Sequence, residues 1–182
     1  MTTATKTINR KGITDKNRFK AAEKYLKGSV KLNFGRPSLH GAWIKNGKQY
    51  MSNSHSGIEL VNIIEGLTQI EEGVKTYDLT SIIEKTKKHA TIKQPDPDIT
   101  ALKAQLTEAK AEAKEIGVKL IEVDKAFTKI GEANFNINLL LKTIAVLPGE
   151  LEYYISEYKA EPLLILDNNG NSAVVLPIRM PE

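Results

Sequence analysis

The stretch NFNINLLLKTIAVLPGELEYYISEYKAEPLLILDNNGNSAVVLPI, residues 134–178, changes its hydrophobic period once and then keeps the new one. Ile137, Leu140, Leu141, Ile144 and Leu147 recur three and four residues apart, the spacing of one face of an α-helix. Asn134-Phe135-Asn136 introduces that helix, and Pro148-Gly149 stops it. Beyond the stop, apolar residues come in runs of strand length: Leu151–Tyr158, Leu163–Leu166 and Ser172–Ile178. Asp167-Asn168-Asn169-Gly170-Asn171 is turn chemistry between the last two. Upstream, Val118–Val123 reads as a strand, with Ala126–Ile130 as its partner. The last third of the chain therefore predicts the order β, α, β, β, β.

The first seventy residues read the same way. Residues 4–9 are a short β-like start. Thr14 or Asp15 caps a helix that runs to about Lys27, with Gly28 as its stop and Phe19, Ala22 and Leu26 as its buried stripe. Arg36-Pro37-Ser38 leads into a strand over Leu39–Lys45. Asn46-Gly47 is a hairpin turn, Gln49–Asn53 the return strand and Ile58–Ile64 a third strand after the turn at Ser54-His55-Ser56-Gly57. One order used twice, with little residue identity between the copies, predicts an internal structural repeat. The expected fold is α+β, built from half-units over 1–70 and 118–182, with sheets outside and helices on one face.

Residues 71–117 interrupt the repeat as a helical insertion or connector. Asp78–Lys88 is helical in pattern, and Gln94-Pro95-Asp96-Pro97-Asp98 breaks the chain. A second helix runs from Ile99 to Ile116, capped by Asp98 and ended by Gly117. Its apolar positions Ile99, Leu102, Leu106, Ala109, Ala113 and Ile116 keep a heptad rhythm, but for fewer than the three to four heptads of a coiled coil. The pattern predicts a helix lying on the domain or bridging its halves; docking of a partner or second copy is the other reading.

Composition narrows the function classes. The 182 residues are 41% hydrophobic and 26% charged, as in globular proteins. No apolar run approaches the roughly 18 residues that span a bilayer. The start Met1-Thr2-Thr3-Ala4-Thr5-Lys6 lacks the apolar stretch of a secretory signal, so the expected location is cytoplasmic. The absence of cysteine excludes disulfides, Cys-based zinc sites and thiol nucleophiles. His40, His55 and His89 are not at metal-ligand spacing, and His55 reads as a solvated turn residue. Asp96 and Asp98 read as linker and helix cap. Ser81 and Ser172 have no base nearby in sequence, and no glycine-rich phosphate loop is present. No enzyme, metal or cofactor is expected.

The charge pattern points to a partner. The net charge is +4, and only Arg10, Arg18, Arg36 and Arg179 are arginines; the remaining positive charge is lysine. Lysine is a hydrated point charge, whereas arginine supplies the planar fork that reads base edges. Lys16, Lys20, Lys24 and Lys27 spread over roughly 80° of the first helix, away from its apolar stripe. Such a face attracts phosphates without reading sequence and does so in a salt-sensitive way. At the other end, Ala173-Val174-Val175-Leu176-Pro177-Ile178-Arg179-Met180 is a strand running into a proline-containing tail. Proline belongs at a sheet edge or strand end. An apolar, methionine-containing tail there makes a wall against which a peptide could lie.

These features in series resemble a known family. Asn134-Phe135-Asn136-Ile137-Asn138-Leu139-Leu140-Leu141, Leu147-Pro148-Gly149-Glu150, Pro162-Leu163-Leu164-Ile165, Asp167-Asn168-Asn169-Gly170 and Val174-Val175-Leu176-Pro177-Ile178-Arg179 look like the C-terminal end of the bacterial DNA polymerase III β subunit, the sliding clamp. The match runs in order from about Val118 to Met180, and the first seventy residues are compatible with the start of a clamp domain. The resemblance implies one clamp domain whose helices face duplex DNA. Lys16, Lys20, Lys24 and Lys27, with Lys142 on the second half's helix, would then be the phosphate-facing residues. It also implies that polymerase and other client peptides dock beside the last strand, at Leu176, Pro177, Ile178, Arg179 and Met180.

Two departures stand out. Bacterial clamp subunits hold three such domains and close a ring of six from two subunits, whereas this chain has length for one, so a closed ring needs six copies. The stretch from about Gly66 to Gly117 has no counterpart. The resemblance implies a homo-oligomeric processivity factor that surrounds duplex DNA and tethers polymerase, of a kind a phage or mobile element would encode. The other implied reading is a clamp-like interaction module, a decoy or adaptor in a replication assembly, that does not encircle DNA.

Overall fold

A computed structural model describes residues 10, 13–32, 36–39, 41–158 and 160–178. Among these the elements are α1 (Asp15–Leu32), β1 (Trp43–Lys45), β2 (Lys48–Ser52), β3 (Ser56–Leu60), α2 (Leu79–His89), β4 (Ile92–Gln94), α3 (Ile99–Ile116), β5 (Phe127–Ile130), β6 (Ala133–Asn136), α4 (Ile137–Val146), β7 (Leu151–Ile155), β8 (Leu163–Asp167) and β9 (Ser172–Val175). The class is α+β. Seven strands form one sheet in the order β1-β2-β3-β9-β8-β7-β4, antiparallel throughout, and β5-β6 is a separate hairpin.

The order around the central β3–β9 pair is palindromic. A helix followed by three strands (α1-β1-β2-β3) meets a second helix followed by three strands (α4-β7-β8-β9), with Ile58 opposite Ala173. The expected leading strand of the first half, residues 4–9, lies outside the described residues. The 71–117 insertion wraps the sheet. Helix α2 covers one face, β4 adds to the edge beside β7, and α3 lies on the opposite face with α1 and α4. Helices therefore occupy both faces rather than one, because Leu79 and Ile83 of α2 bury against Trp43, Tyr50, Leu164 and Val174.

The main core lies between the sheet and α1, α3 and α4. Met51, Ile58, Leu60, Tyr153, Leu163, Ile165, Ala173 and Val175 point into it from the strands. These alternate with the residues that face α2, as the two-residue period of a strand requires. Tyr25 of α1 is fully buried against the sheet; its hydroxyl donates to Ser56 O at the start of β3 at 2.9 Å, and burial raises its pKa. Beneath α2, the buried Glu59 carboxylate accepts from Lys48 Nζ at 2.8 Å and from the Tyr50 hydroxyl at 3.0 Å.

Several sequence expectations are corrected. Helix α1 passes through Gly28 to Leu32. One interior glycine costs about 1 kcal/mol, less than the burial of Ala22, Tyr25 and Leu26 returns. The strand expected from Leu39 begins only at Trp43. A Cβ on Gly41 would stand 2.7 Å from the backbone of Gln69, and Ala42 bridges to that segment through bonds with Thr68 and Ile70. Val118–Val123 is no strand; Leu120–Glu122 and Asp124–Ala126 are 3₁₀ turns. Val123 and Ala126 keep a three-residue spacing that buries both against α3. Ala126–Ile130 accordingly finds another partner: β5 pairs with β6, and Asn134 and Phe135 are strand before Asn136 caps α4. The Asn46-Gly47 turn has the positive φ at both positions, 52° and 74°, that a tight hairpin of this twist requires. Asp98 caps α3 through Thr100 N and Ala101 N, and Gly117 ends it.

Candidate nucleic-acid interface

Two arginines, the buried Arg18 of α1 and the half-buried Arg10 ahead of it, tie α1 to the end of α4. Arg18 Nε–H donates to Val146 O (3.2 Å), and its Nη2–H donates to Asn62 O (2.8 Å). Arg10 Nη2–H donates to Ile144 O and Leu147 O, both at 2.8 Å. The carbonyls at the C-terminal end of α4 thus receive cationic donors at the negative end of the helix dipole, Ile144 O in addition to the Leu147 N–H that caps the helix. Burial lowers both guanidinium pKa values, and Asp167 opposes that shift. Two of the four arginines counted in the sequence are therefore tied to main-chain carbonyls of the fold.

With α1 fixed this way, its lysines face outward. Arg18, Ala22, Tyr25 and Leu26 are buried, and Lys16, Lys20, Lys24 and Lys27 are exposed on the other side. Lys27 sits 3.5 Å from Glu23, so part of its charge is answered within the helix. Lys16, Lys20 and Lys24 have no ion pair among the described residues. Lys142 rises from the neighbouring α4 and is half-buried. Its ammonium pKa is lowered, first by burial and then by the charges of Lys24 and Lys110. The expected DNA-facing set is therefore brought together on the helix side of the sheet. Lys110 of α3, absent from the sequence-derived set, joins it.

A cation held next to other cations costs stability unless an anion arrives. The sign follows from linkage: a lysine with a depressed folded value penalises the fold while charged, and the penalty fades as pH rises through that value. Lys142→Met is expected to raise the melting temperature at neutral pH, with the gain shrinking toward alkaline pH. Differential scanning calorimetry reads this; a lower melting temperature at pH 7 would contradict it.

The opposite face of the sheet holds a groove of about 210 Å³. It is lined by Tyr77, Leu79 and Ile82 around α2, by His55 and Gly57, and by Val174 and Leu176 at the end of β9. Tyr77, Ile82 and Leu176 are exposed apolar residues. The expected peptide-docking tail divides here. β9 is central in the sheet, not at its edge, and ends at Val175. Leu176 N–H bonds His55 O, and the side chain lines the groove. Pro177 follows the strand end. Ile178 bridges to Asn134 and packs on the small cluster of Ala109, Ala113 and Phe127 under α3, away from the groove. Arg179, Met180 and His40 lie outside the described residues. The groove residues from α2 were missed because their exposure depends on where an insertion docks, which local periodicity does not encode.

Among the described residues, no group of His, Asp or Glu could hold a metal ion, and no helix is long and apolar enough to cross a membrane. Asp78 accepts from Ser81 N and Ser81 Oγ as the cap of α2, and Ser172 is buried in β9. No family model matches the chain, and no curated protein matches it.

Proposed function

We propose that this protein is a non-enzymatic, sliding-clamp-like DNA-binding protein of the cytoplasm that needs no cofactor, surrounds duplex DNA as a homo-oligomer and tethers polymerase. The observation that carries the proposal is the cationic face: exposed lysines of α1 with Lys142 of α4, set by Arg18 and Arg10, in which only Lys27 has an ion pair among the described residues. Lysine suits a protein that must hold phosphates while moving along them. The twice-used order of one helix and three strands is compatible with a clamp domain of two half-units. The groove at Leu176 is the docking place for a client peptide, on the face turned away from DNA.

Ring assembly from single domains requires head-to-tail contacts between unlike surfaces. Among the described residues the sheet ends in β1 and β4, three residues each; residues 68–70 bond Ala42 just ahead of β1 and leave β1 itself open, and each edge carries an exposed isoleucine, Ile44 at 54% and Ile92 at 45%. Pairing β1 of one copy with β4 of the next would cover both. Light scattering on a size-exclusion column tests this, with a mass near six chains of 20.2 kDa expected. A monomer or dimer would favour the second reading, a clamp-like interaction module that binds clients through the groove without encircling DNA.

A further inference from the structure

Helix α3 belongs to the insertion without a counterpart in the clamp pattern, and its charges are segregated. Lys103, Lys110 and Lys114 lie within roughly 40° of one another around the axis at about 100° per residue, and all three are exposed. Glu108, Glu112 and Glu115 lie on the other flank, roughly 120–180° away. Within α3 no lysine has a glutamate three or four residues away, whereas Lys110–Lys114 and Glu108–Glu112 are like-charge pairs at i,i+4. Opposite pairs at that spacing stabilise a helix and like pairs destabilise it, by about 0.2–0.5 kcal/mol each. The helix therefore forgoes local stabilisation to keep its lysines on one side.

The packing fixes which side. Leu102, Leu106, Ala109 and Ala113 are buried. The acidic flank turns toward residues 124–127: Lys125 pairs with Glu112 at 3.3 Å, and Gln105 donates to Phe127 O at 2.9 Å. The lysine flank turns the other way, toward α4, whose Lys142 stands in the field of both Lys24 and Lys110. Packed helix axes lie about 8–10 Å apart, so α1, α4 and α3 together present roughly 20 Å of surface, wider than the roughly 12 Å major groove.

We propose that α3 is a third DNA-contacting helix, which places Lys103, Lys110 and Lys114 on backbone phosphates of the duplex that α1 holds. This rests on the DNA-binding reading above and extends it to the inserted segment.

The test uses the full chain and a labelled duplex of random sequence, with fluorescence anisotropy across a salt series. Lys103→Gln, Lys110→Gln and Lys114→Gln together are expected to make the slope of log affinity against log salt shallower by about 2.7, about 0.9 per phosphate contact. Affinity at 0.1 M salt should fall by about two to three orders of magnitude on the same relation. Should the triple variant fail to fold, Lys110→Gln alone is expected to lower the slope by about 0.9. A control with Glu108→Gln and Glu115→Gln raises net charge on the other flank and is expected to leave the slope unchanged. An unchanged slope in the folded lysine variant, with binding lost on Lys16, Lys20 and Lys24→Glu, would overturn the role of α3 and leave the α1 reading standing. Absence of duplex binding by the parent chain would overturn both, as would phosphatidylserine vesicles binding through these lysines while the duplex does not.

Discussion

Lys16, Lys20 and Lys24 changed together to Glu are expected to abolish retention on duplex DNA. The three side chains are exposed, point away from the core and lack ion pairs among the described residues, so the exchange leaves the fold intact. Each lysine that neutralises a phosphate releases counterions, and three lost contacts flatten the salt slope by about 2.7 and weaken binding at 0.1 M salt by about two to three orders of magnitude. Three introduced carboxylates add repulsion from the phosphates, so the reversal should exceed a neutral exchange at the same positions. The readout is anisotropy with a labelled duplex, with circular dichroism to verify the fold. Unchanged, salt-independent retention by the folded variant would exclude α1 from the interface.

Arg18→Leu is expected to destabilise the fold by about 3 kcal/mol, with a fall in melting temperature of roughly 6–12 °C for a chain of this size. Leucine fills part of the space but donates nothing. The carbonyls of Val146 and Asn62 would then be left without the Arg18 donors. The link between α1 and the end of α4 would loosen as well, so DNA affinity should fall though no lysine of the proposed interface has changed. Arg18→Lys should recover only part of the loss, because one ammonium cannot span two carbonyls as the guanidinium does. Urea denaturation measures it; a loss below 1 kcal/mol for Arg18→Leu would show that water replaces the arginine at both carbonyls.

The sequence read well where one local signal decided the outcome. The Asn46-Gly47 turn, the Asp98 cap, the apolar stripe of α4 and the three strands after it each follow from residues close in the chain. It read poorly where a distant segment decided. Gly41 is held against the backbone of residues 68–70, which delays β1. Val118–Val123 has the β-branched residues of a strand, yet 3₁₀ turns are what bring Val123 and Ala126 against Ala109 and Ala113 of α3. The insertion, a helical insertion or connector by its pattern, packs its two helices on opposite faces of the sheet and supplies an edge strand. The lysine stripe of α1 was legible because it needs only the helical period. The part of α3 in the same face was not, since it depends on which flank of α3 turns toward α4. The tail was half legible: Leu176 lines a groove, while Ile178 turns to its own core.

The most direct measurement is the salt dependence of duplex binding by the unaltered chain. At least four lysines, Lys16, Lys20, Lys24 and Lys142, are proposed to meet phosphates, so log affinity should fall linearly with log salt at a slope of about −3.6 or steeper, with no preference among duplex sequences. A flat salt dependence, or no binding at 50 mM salt, would contradict the assignment of the helix face to DNA.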